Sequence, residues 1–226
     1  YISSVAALGR KRGQKHFDED SHWVESSRNS AYALSKYQAE LEAWRVNQEG
    51  LPTVILNPSI ILGPGFWNQG SGAFFRQIKE GFPFYSQGVN AVVDVRDVAR
   101  VAATLALAPQ EGERYVLAGA NVSYRELFNA IADELEVPRP RIAVKPWMSA
   151  LVWRWEALAQ LWPGREARVT RETAATAMQE YYYHSAKIQA ALPDFPFHDW
   201  RDTVAYTASC FRTGPSSTDP VADVPE

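Results

Sequence analysis

The chain has 226 residues, of which 46% are hydrophobic and 22% are charged, proportions typical of one globular domain with at most a small annex. Its 23 basic and 26 acidic residues give a net charge of −3 without any block of like charge, which argues against a nucleic-acid partner. No apolar run is long enough to cross a bilayer, and the first residues lack the pattern of a signal peptide.

Cysteine and histidine are too few to build a structural framework. The single Cys210 cannot form an internal disulfide, and the spacing of the four histidines does not resemble a metal site. These features predict a protein of the reducing cytoplasm, without a metal or stable membrane insertion, whose partner is a small molecule.

The chain opens on an apolar stretch, YISSVAALG, rather than on methionine. The run predicts a strand over residues 1–8. Because a buried strand has nothing before it here to begin a domain, we expect a preceding part of the protein to be missing from this sequence. A polar loop is expected to follow over residues 9–26.

The first predicted helix covers residues 27–49. Apolar residues recur in it at steps of three and four, and residues 47–50 supply a stop. Residues 53–56 are continuously apolar, like a strand buried on both faces of a parallel sheet, and residues 58–65 are expected to form a loop. A strand, a helix and a second strand in this order predict a right-handed parallel crossover.

The later elements are predicted to extend this sheet. We expect a helix at 72–81, a strand at 91–95, a helix at 97–108 that is capped by Asp97, and a strand at 114–117.

From residue 123 onward the pattern is mostly helical. Ser123 and Glu126 have the spacing of a capping box, and residues 147–162 form a tryptophan-rich amphipathic pattern. Because that pattern carries little basic charge, packing within the protein is favoured over a membrane surface. Residues 213–226 are rich in proline, serine and aspartate, which predicts disorder.

Tyr32 and Lys36 carry the chemical hypothesis. At i and i+4 of a helix they share one face, and an ammonium near a phenol favours the phenolate, which suits tyrosine to general acid catalysis. The spacing alone is weak support, because Tyr183 and Lys187 repeat it in a segment predicted to be a surface turn and a short helix. Only the first pair follows a strand that ends near Ser4 and precedes the segment NPSIILGPG, at the edge where parallel sheets bind ligands.

Four segments of the chain, SSVAALG, YALSKYQAELEAWR, NPSIILGPG and VVDVRDVARVA, occur in an order and spacing that resemble one family. This is the extended short-chain dehydrogenase/reductase family, which includes the NAD-dependent epimerases and dehydratases, and the chain is most similar to its dihydroflavonol reductase-like branch. The resemblance covers residues 1–212 and implies an α/β fold. Residues 1–120 would form the C-terminal part of a Rossmann-type parallel sheet with interleaved substrate loops, and residues 121–212 mainly a smaller, mostly helical substrate domain.

The resemblance also implies roles for individual residues, with NAD or NADP as the cofactor. Tyr32 would exchange a proton with the substrate oxygen, Lys36 would assist it and bind the nicotinamide ribose, and Ser4 would stabilise the developing oxyanion. Its neighbour Ser3 is assigned to structure. Further cofactor contacts are expected from Pro58, Ile61 and Ser71, and the aromatic side chains expected to wall an apolar substrate pocket are Phe66, Trp67, Phe84 and Tyr85.

Two departures from the family pattern narrow these expectations. The glycine-rich phosphate loop is absent, and the family would place roughly a hundred residues, enough for about three strand-helix units, before Tyr1. Weak dinucleotide binding is therefore expected of this chain by itself, and the choice between NAD and NADP cannot be read from it. Sugar-nucleotide members use an arginine for the substrate diphosphate, whereas no Arg or Lys lies between Lys79 and Arg96 here, which favours a neutral, apolar or aromatic substrate.

Three functions remain open on the sequence. The first is a nicotinamide-dependent oxidoreductase that reduces a ketone or aldehyde, or oxidises a secondary alcohol. The second is a nucleotide-sugar epimerase or dehydratase of the same family, and the third is a non-enzymatic dinucleotide-sensing module. By analogy, the helices predicted at 27–49 and 97–108 are candidate surfaces for a homodimer.

Overall fold

The computed structural model describes residues 1–26, 29–107, 112–144 and 177–214, and it confirms the α/β fold class. The predicted helix at 147–162 and nearly all of the predicted disordered tail lie outside these residues. The described strands are β1 (His16–Phe17), β2 (Val54–Pro58), β3 (Ile60–Leu62), β4 (Phe84–Tyr85), β5 (Val89–Asp94), β6 (Glu113–Leu117), β7 (Ala120–Ser123), β8 (Ile142–Ala143) and β9 (Tyr182–Tyr183). The described α-helices are α1 (Ala31–Gln48), α2 (Gly72–Lys79), α3 (Val95–Ala106), α4 (Tyr124–Glu134), α5 (Ala186–Ala191) and α6 (Trp200–Thr213).

Parallel pairing dominates the described strands. β2 pairs with β6, β3 with β5, β1 with β9 and β4 with β8, all in parallel, whereas β7 runs antiparallel to β5. The start of the chain adds to β2, because Ile2 forms a parallel bridge with Leu56. The amide of Ser3 also donates to the carbonyl of Leu56 at 2.7 Å.

The predicted strand over residues 1–8 is wrong in its second half. Extended pairing ends at Ser3, and Val5–Leu8 forms a 3-10 helix whose first turn is capped by the Ser4 hydroxyl, which accepts from the amide of Ala6 at 3.2 Å. A short run of continuously apolar residues fits a buried strand and a buried helical turn equally well. The Ser4 cap favours the turn, because its hydroxyl accepts from the amide of Ala6. In a strand, that amide would instead bond to a neighbouring strand.

Other boundaries also differ from the sequence prediction, among them the start of α1, which lies at Ala31 rather than at residue 27. Pro58 is the last paired residue of β2 rather than the start of a loop, and β3 follows almost directly, so the loop begins at Gly63. The cap of α3 is Asp94 and not Asp97, because the chain passes from β5 into the helix without a linker. The capping box of Ser123 and Glu126 is confirmed at the start of α4.

Helices cover both faces of β5. Side chains of successive strand residues point to opposite faces, and Val92 joins the apolar cluster formed with α2, α4 and α6, whereas Val93 joins the cluster formed with α3 and α5. The buried side chains Phe75 and Ile131 lie in the first cluster and Val101 in the second. β3 follows β2 after the single residue Ser59, and the loop to α2 begins at the carboxyl end of β3.

A buried aspartate joins the end of β5 to the last helix. The Asp94 carboxylate accepts from the backbone amide of Arg96 at 2.7 Å and from its guanidinium at 2.9 and 2.5 Å. It also accepts from the hydroxyl of Thr203 on α6 at 2.8 Å. Beside it, Asp97 accepts from the backbone amide of His198 at 2.8 Å, and its other oxygen lies 2.7 Å from the ring nitrogen Nδ1 of the same histidine. The start of α3 and the start of α6 are therefore held together by two carboxylates.

Within the described ranges, no helix is both long and apolar enough to cross a membrane. Among the same residues, no group of three or more histidine, cysteine, aspartate or glutamate side chains is arranged to hold a metal ion.

Replacing Asp94 should destabilise the fold in a pH-dependent way. Burial raises the pKa of Asp94, but hydrogen bonds from the side chain and backbone of Arg96 and from Thr203 outweigh burial and hold the pKa below the ordinary value of 3.8. The stabilisation is therefore fully present above about pH 4 and is lost as the pH falls through the lower folded-state pKa. We expect Asp94→Asn to lower the free energy of unfolding by about 1–3 kcal/mol at pH 7, and the difference from wild type to shrink below about pH 4.

Urea unfolding at several pH values measures this difference, with the exposed Asp20→Asn as the matched control. If Asp94→Asn lowers the free energy of unfolding by the same amount at pH 7 and at pH 3, the ionised carboxylate of Asp94 is not what stabilises this contact between α3 and α6.

Candidate active site

Tyr32 and Lys36 lie one turn apart near the start of α1. The helix begins after Ser30, whose hydroxyl accepts from the amide of Ala33 at 3.0 Å, so the pair occupies the first two turns. The Lys36 ammonium is 5.8 Å from the centroid of the Tyr32 ring, and Tyr32 is 55% exposed. The predicted shared face is therefore present, and the phenol is accessible to a ligand.

Ser4 caps the 3-10 helix Val5–Leu8, which packs against α1. The cap to Ala6 uses a lone pair of the Ser4 hydroxyl oxygen, which leaves the hydroxyl proton available to a substrate. The carbonyl of Ser4 accepts from the side-chain amide of Asn57 at 2.9 Å and from the backbone amide of Ala7 at 3.0 Å. The backbone of Ser4 is thus fixed from two sides.

A buried carboxylate lies on the inner side of α1. Glu40 is only 2% exposed and accepts from the Ser3 hydroxyl at 2.7 Å and from the Asn57 amide at 2.9 Å, both through Oε2. Its other oxygen, Oε1, accepts from Arg114 of β6 at 3.1 Å. The prediction that Ser3 is structural agrees with this contact, because its hydroxyl donates into the interior.

Arg114 extends the same network to the loop before α1. Its second guanidinium nitrogen donates to the carbonyls of Glu19 and Ser21, and the Glu19 carboxylate accepts from the amide of Val116 at 2.7 Å. The loop over residues 18–21, the strand β6 and the helix α1 are therefore joined through one guanidinium.

The residues proposed for the cofactor lie along one short stretch. Pro58 is buried at the end of β2, and Ile61 is partly buried on β3. The Ser71 hydroxyl, just before α2, donates to the carbonyl of Ile61, so these two are brought together. In this arrangement the hydroxyl proton of Ser71 is already used, and only its lone pairs remain for a ligand.

The aromatic residues proposed for the substrate pocket have different environments. Phe66 is 63% exposed, whereas Trp67 packs edge-on against Phe75 and Phe211, with ring centroids at 6.2 and 4.9 Å. Trp67 therefore belongs mainly to the apolar cluster between α2 and α6.

Tyr85 is partly buried on β4 and has a cationic neighbour. The guanidinium of Arg125, from α4, lies 5.3 Å from the centroid of its ring. Phe84, beside it, packs edge-on against Phe82, with ring centroids at 5.5 Å. This arginine could not be placed beside Tyr85 from the sequence, because α4 follows β4 by some forty residues and only the fold brings them together.

The second tyrosine and lysine pair is not a copy of the first. Tyr183 lies on β9, is only 2% exposed, and has its pKa raised by burial, an effect that Arg10 partly offsets. Lys187 lies on α5, where its ammonium is 2.6 Å from the Glu113 carboxylate. The predicted short helix is correct, but the predicted surface turn is wrong for Tyr183, because its apolar ring completes the cluster around Phe17.

Three residues of the network around α1 were not singled out from the sequence: Glu40, Asn57 as a side chain, and Arg114. A signal was present, because Asn57 interrupts an otherwise apolar strand and a buried amide needs partners. The sequence could not show which partners these are, since they lie 17 and 53 residues away.

Comparison with known sequences gives one family and two relatives. A model of the family described as NAD dependent epimerase/dehydratase matches residues 1–118. A Synechocystis sp. protein named "Putative dihydroflavonol 4-reductase" is 33% identical over 200 residues, which cover 83% of this chain and 56% of that protein. Cinnamoyl-CoA reductase 1 of Arabidopsis thaliana is 34% identical over 91 residues, which cover 38% of this chain and 26% of that protein.

Comparison with solved structures finds proteins that share the α/β fold of this chain. The crystal structure of gox2253 is 32% identical, with a TM-score of 0.73 over 94% of this chain and 65% of that chain. A nucleoside-diphosphate-sugar epimerase from Pseudomonas aeruginosa is 25% identical, with a TM-score of 0.75 over 94% of this chain and 66% of that chain. The chain thus spans less than two thirds of the length of the first relatives in both comparisons.

Gly72, at the start of α2, offers a test of the loop that precedes it. A Cβ atom at this position would lie 2.4 Å from the carbonyl oxygen of Phe66, a backbone atom that cannot move aside easily. Helix propensity alone predicts that Gly72→Ala stabilises the protein by up to about 1 kcal/mol, whereas the clash predicts a loss of about 1–3 kcal/mol. We expect the loss, measured as the change in the free energy of unfolding in urea, and a gain in stability would contradict the close crossing of loop and helix.

Proposed function

The chain belongs to the NAD dependent epimerase/dehydratase family, as its sequence segments predicted, and from this premise we propose a nicotinamide-dependent oxidoreductase. Its reaction is the reduction of a ketone or aldehyde to an alcohol, or the reverse, on a small apolar or aromatic substrate. Ser4, Tyr32 and Lys36 are the proposed catalytic residues.

One observation carries this proposal. An exposed phenol with an ammonium beside it lies on a helix that packs directly on the turn bearing Ser4. A phenol, an ammonium and a hydroxyl supply a proton donor, a positive charge and a hydrogen-bond donor, which are the groups that carbonyl reduction requires from a protein. The tyrosine of the second pair is buried and its lysine is engaged with Glu113, so that pair does not offer the same chemistry.

The residues around Tyr32, Lys36 and the turn from β2 to β3 have groups that fit a dinucleotide. Tyr32 and Lys36 are accessible donors, and the buried hydroxyl of Ser59, between Pro58 and Ile61, has no hydrogen-bond partner among the described residues. A polar cofactor bound at the turn from β2 to β3 would give the Ser59 hydroxyl a partner, and open parallel sheets bind ligands at the carboxyl ends of their strands. Lys36, Pro58, Ile61 and Ser71 would hold it, and when bound it supplies or accepts the hydride.

Tyr32, assisted by Lys36 and Ser4, carries out the proton transfer of the proposed reaction. In the reductive direction Tyr32 donates its phenolic proton to the substrate oxygen as negative charge develops there. The Lys36 ammonium stabilises the resulting phenolate, and the Ser4 hydroxyl donates to the same substrate oxygen, a contact that gains strength as charge grows. In the oxidative direction the phenolate accepts the alcohol proton.

Replacing Tyr32 tests this mechanism. We expect Tyr32→Phe in the full-length protein to lower kcat about a hundredfold or more, because it removes the group that the mechanism assigns to proton transfer with the substrate oxygen. Steady-state assays with NADH and NADPH over a panel of aromatic and aliphatic carbonyls measure the loss. Tyr183→Phe is the matched control, since it removes a hydroxyl from the repeated motif and should retain activity per folded molecule.

Full turnover by Tyr32→Phe would contradict the mechanism. Binding of cofactor without any turnover across the panel, in wild type, would instead support a sensing module.

A second candidate, a nucleotide-sugar epimerase or dehydratase, is favoured by a different observation. The guanidinium of Arg125, from α4, lies over Tyr85, and we propose it as the cation for a substrate diphosphate in place of one between Lys79 and Arg96. A guanidinium is well suited to a diphosphate. The relative from Pseudomonas aeruginosa described as a nucleoside-diphosphate-sugar epimerase supports the same candidate.

Arg125→Gln separates the two candidates. With a neutral carbonyl substrate, we expect KM to change less than about twofold, because no charge-assisted bond to the substrate is lost. A substrate that carries a diphosphate would instead show a KM about tenfold or more higher. Kinetics with aromatic carbonyls and with UDP-sugars, with the exposed Arg139→Gln as control, measure the difference, and a selective rise with UDP-sugars would favour the second candidate.

A further inference from the structure

We infer that Glu40 is a positioning residue of the active site, acting through Ser3, Asn57 and the backbone of Ser4. The inference rests on the proposed function, because it assigns Glu40 a role in the geometry of the same catalytic residues. Glu40 itself is buried, with 2% of its surface exposed.

Glu40 connects three separate segments through one carboxylate group. Its Oε2 atom accepts from Ser3, which belongs to the segment paired with β2, and from Asn57 of β2 itself, at 2.7 and 2.9 Å. Its Oε1 atom accepts from Arg114 of β6 at 3.1 Å. A shift of α1 along or around its axis would break several of these bonds at once.

The orientation of Asn57 shows how this restraint reaches Ser4. Both contacts of its amide are made through the NH₂ group, one to Glu40 and one to the carbonyl of Ser4 at 2.9 Å. Its own carbonyl oxygen is buried and has no hydrogen-bond partner among the described residues. The side chain is therefore oriented by its two acceptors, and its position on the Ser4 carbonyl depends on the Glu40 carboxylate.

The placement of Glu40 on α1 connects the same restraint to the other catalytic residues. Tyr32, Lys36 and Glu40 are spaced four residues apart, so they follow one stripe along the helix. Fixing Glu40 against β2 fixes the rotation of that stripe, and with it the direction in which Tyr32 and Lys36 project. The Glu40 carboxylate thus restrains both the backbone of Ser4 and the helix that carries Tyr32 and Lys36.

A buried ion pair is not needed for stability alone. Removing two charges from water costs several kcal/mol, and replacing a buried pair by apolar residues of similar size is often neutral or stabilising. The pair formed by Glu40 and Arg114 is nearly enclosed, with side-chain exposures of 3% and 16%. The directional bonds that it makes to Ser3 and Asn57 are what an apolar replacement could not supply.

Glu40→Gln removes this restraint with little change of shape. An amide offers one acceptor oxygen and one donor group, whereas the site presents donors to both carboxylate oxygens. In one orientation the new NH₂ group faces Arg114, and in the other it faces Asn57. Either way one contact becomes donor against donor, so α1 loses a bond either to Arg114 or to Ser3 and Asn57, and the restraint on its position is weakened.

A double-mutant cycle with Ser4→Ala tests the inference in the full-length protein. We expect Glu40→Gln to lower kcat about ten- to a hundredfold with KM nearly unchanged, because a small misplacement of reacting groups is that costly. In the Ser4→Ala background the same substitution should lower kcat by a smaller factor, because one of the groups that Glu40 positions is already absent and only its effect on Tyr32 and Lys36 remains. Glu42→Gln, two residues away on the exposed side of α1, is the matched control and should leave kcat unchanged.

The outcomes separate the two proposals. An unchanged kcat for Glu40→Gln, or an equal loss in both backgrounds, would overturn the role of Glu40 while the proposed function stands. Unchanged kcat for both Ser4→Ala and Tyr32→Phe would overturn the proposed function, and the role of Glu40 with it. If Glu40→Gln does not fold, Ser3→Ala removes one donor to Glu40 and keeps every charge, and it should show a smaller loss of kcat with the same dependence on Ser4.

Discussion

The buried carboxylate of Glu40 is the contact on which the geometry of the candidate active site depends. It receives hydrogen bonds from Ser3, in the segment that pairs with β2, from Asn57 of β2 and from Arg114 of β6. It lies on the helix that carries Tyr32 and Lys36. Weak contacts between a helix and a sheet allow sliding, whereas three donors on one enclosed carboxylate specify a single register. This interior network holds the helix that carries Tyr32, and the segment before Ser4, against β2 and β6.

A second polar joint has a different function. Asp94 and Asp97, at the end of β5 and the start of α3, bond to Thr203 and His198 at the start of α6. They hold the last helix on the sheet, and the apolar side chains of α6 then close the cluster with α2 and α4. The fold thus uses buried carboxylates where elements distant in sequence must meet at a defined position, and apolar contacts where area is sufficient.

Much of the fold was predictable because periodicity is a local property. The helix around Tyr32, the strands β2, β5 and β6, and the capping box of α4 followed from apolar spacing and cap residues. The errors arose where a local pattern has two solutions. An apolar run at residues 1–8 fits a strand or a turn, and two aspartates three residues apart, Asp94 and Asp97, both qualify as a cap.

The candidate site was predictable only in part, for a related reason. Tyr32, Lys36 and Ser4 stand in recognisable segments, but their support comes from Asn57 and Arg114, which single segments do not associate with them. Arg125 likewise reaches Tyr85 only after folding. Long-range contacts between polar side chains hold the residues of the candidate site in place, and that information appears only in three dimensions.

The central claim is that Tyr32 transfers a proton during carbonyl reduction. Single-turnover reduction of a carbonyl substrate by the full-length protein, followed by loss of the reduced nicotinamide in H₂O and in D₂O, tests it most directly. The account predicts a slower rate in D₂O for wild type, and no such difference for the residual activity of Tyr32→Phe. Equal rates in both solvents for wild type, or the same isotope effect in both proteins, would contradict it.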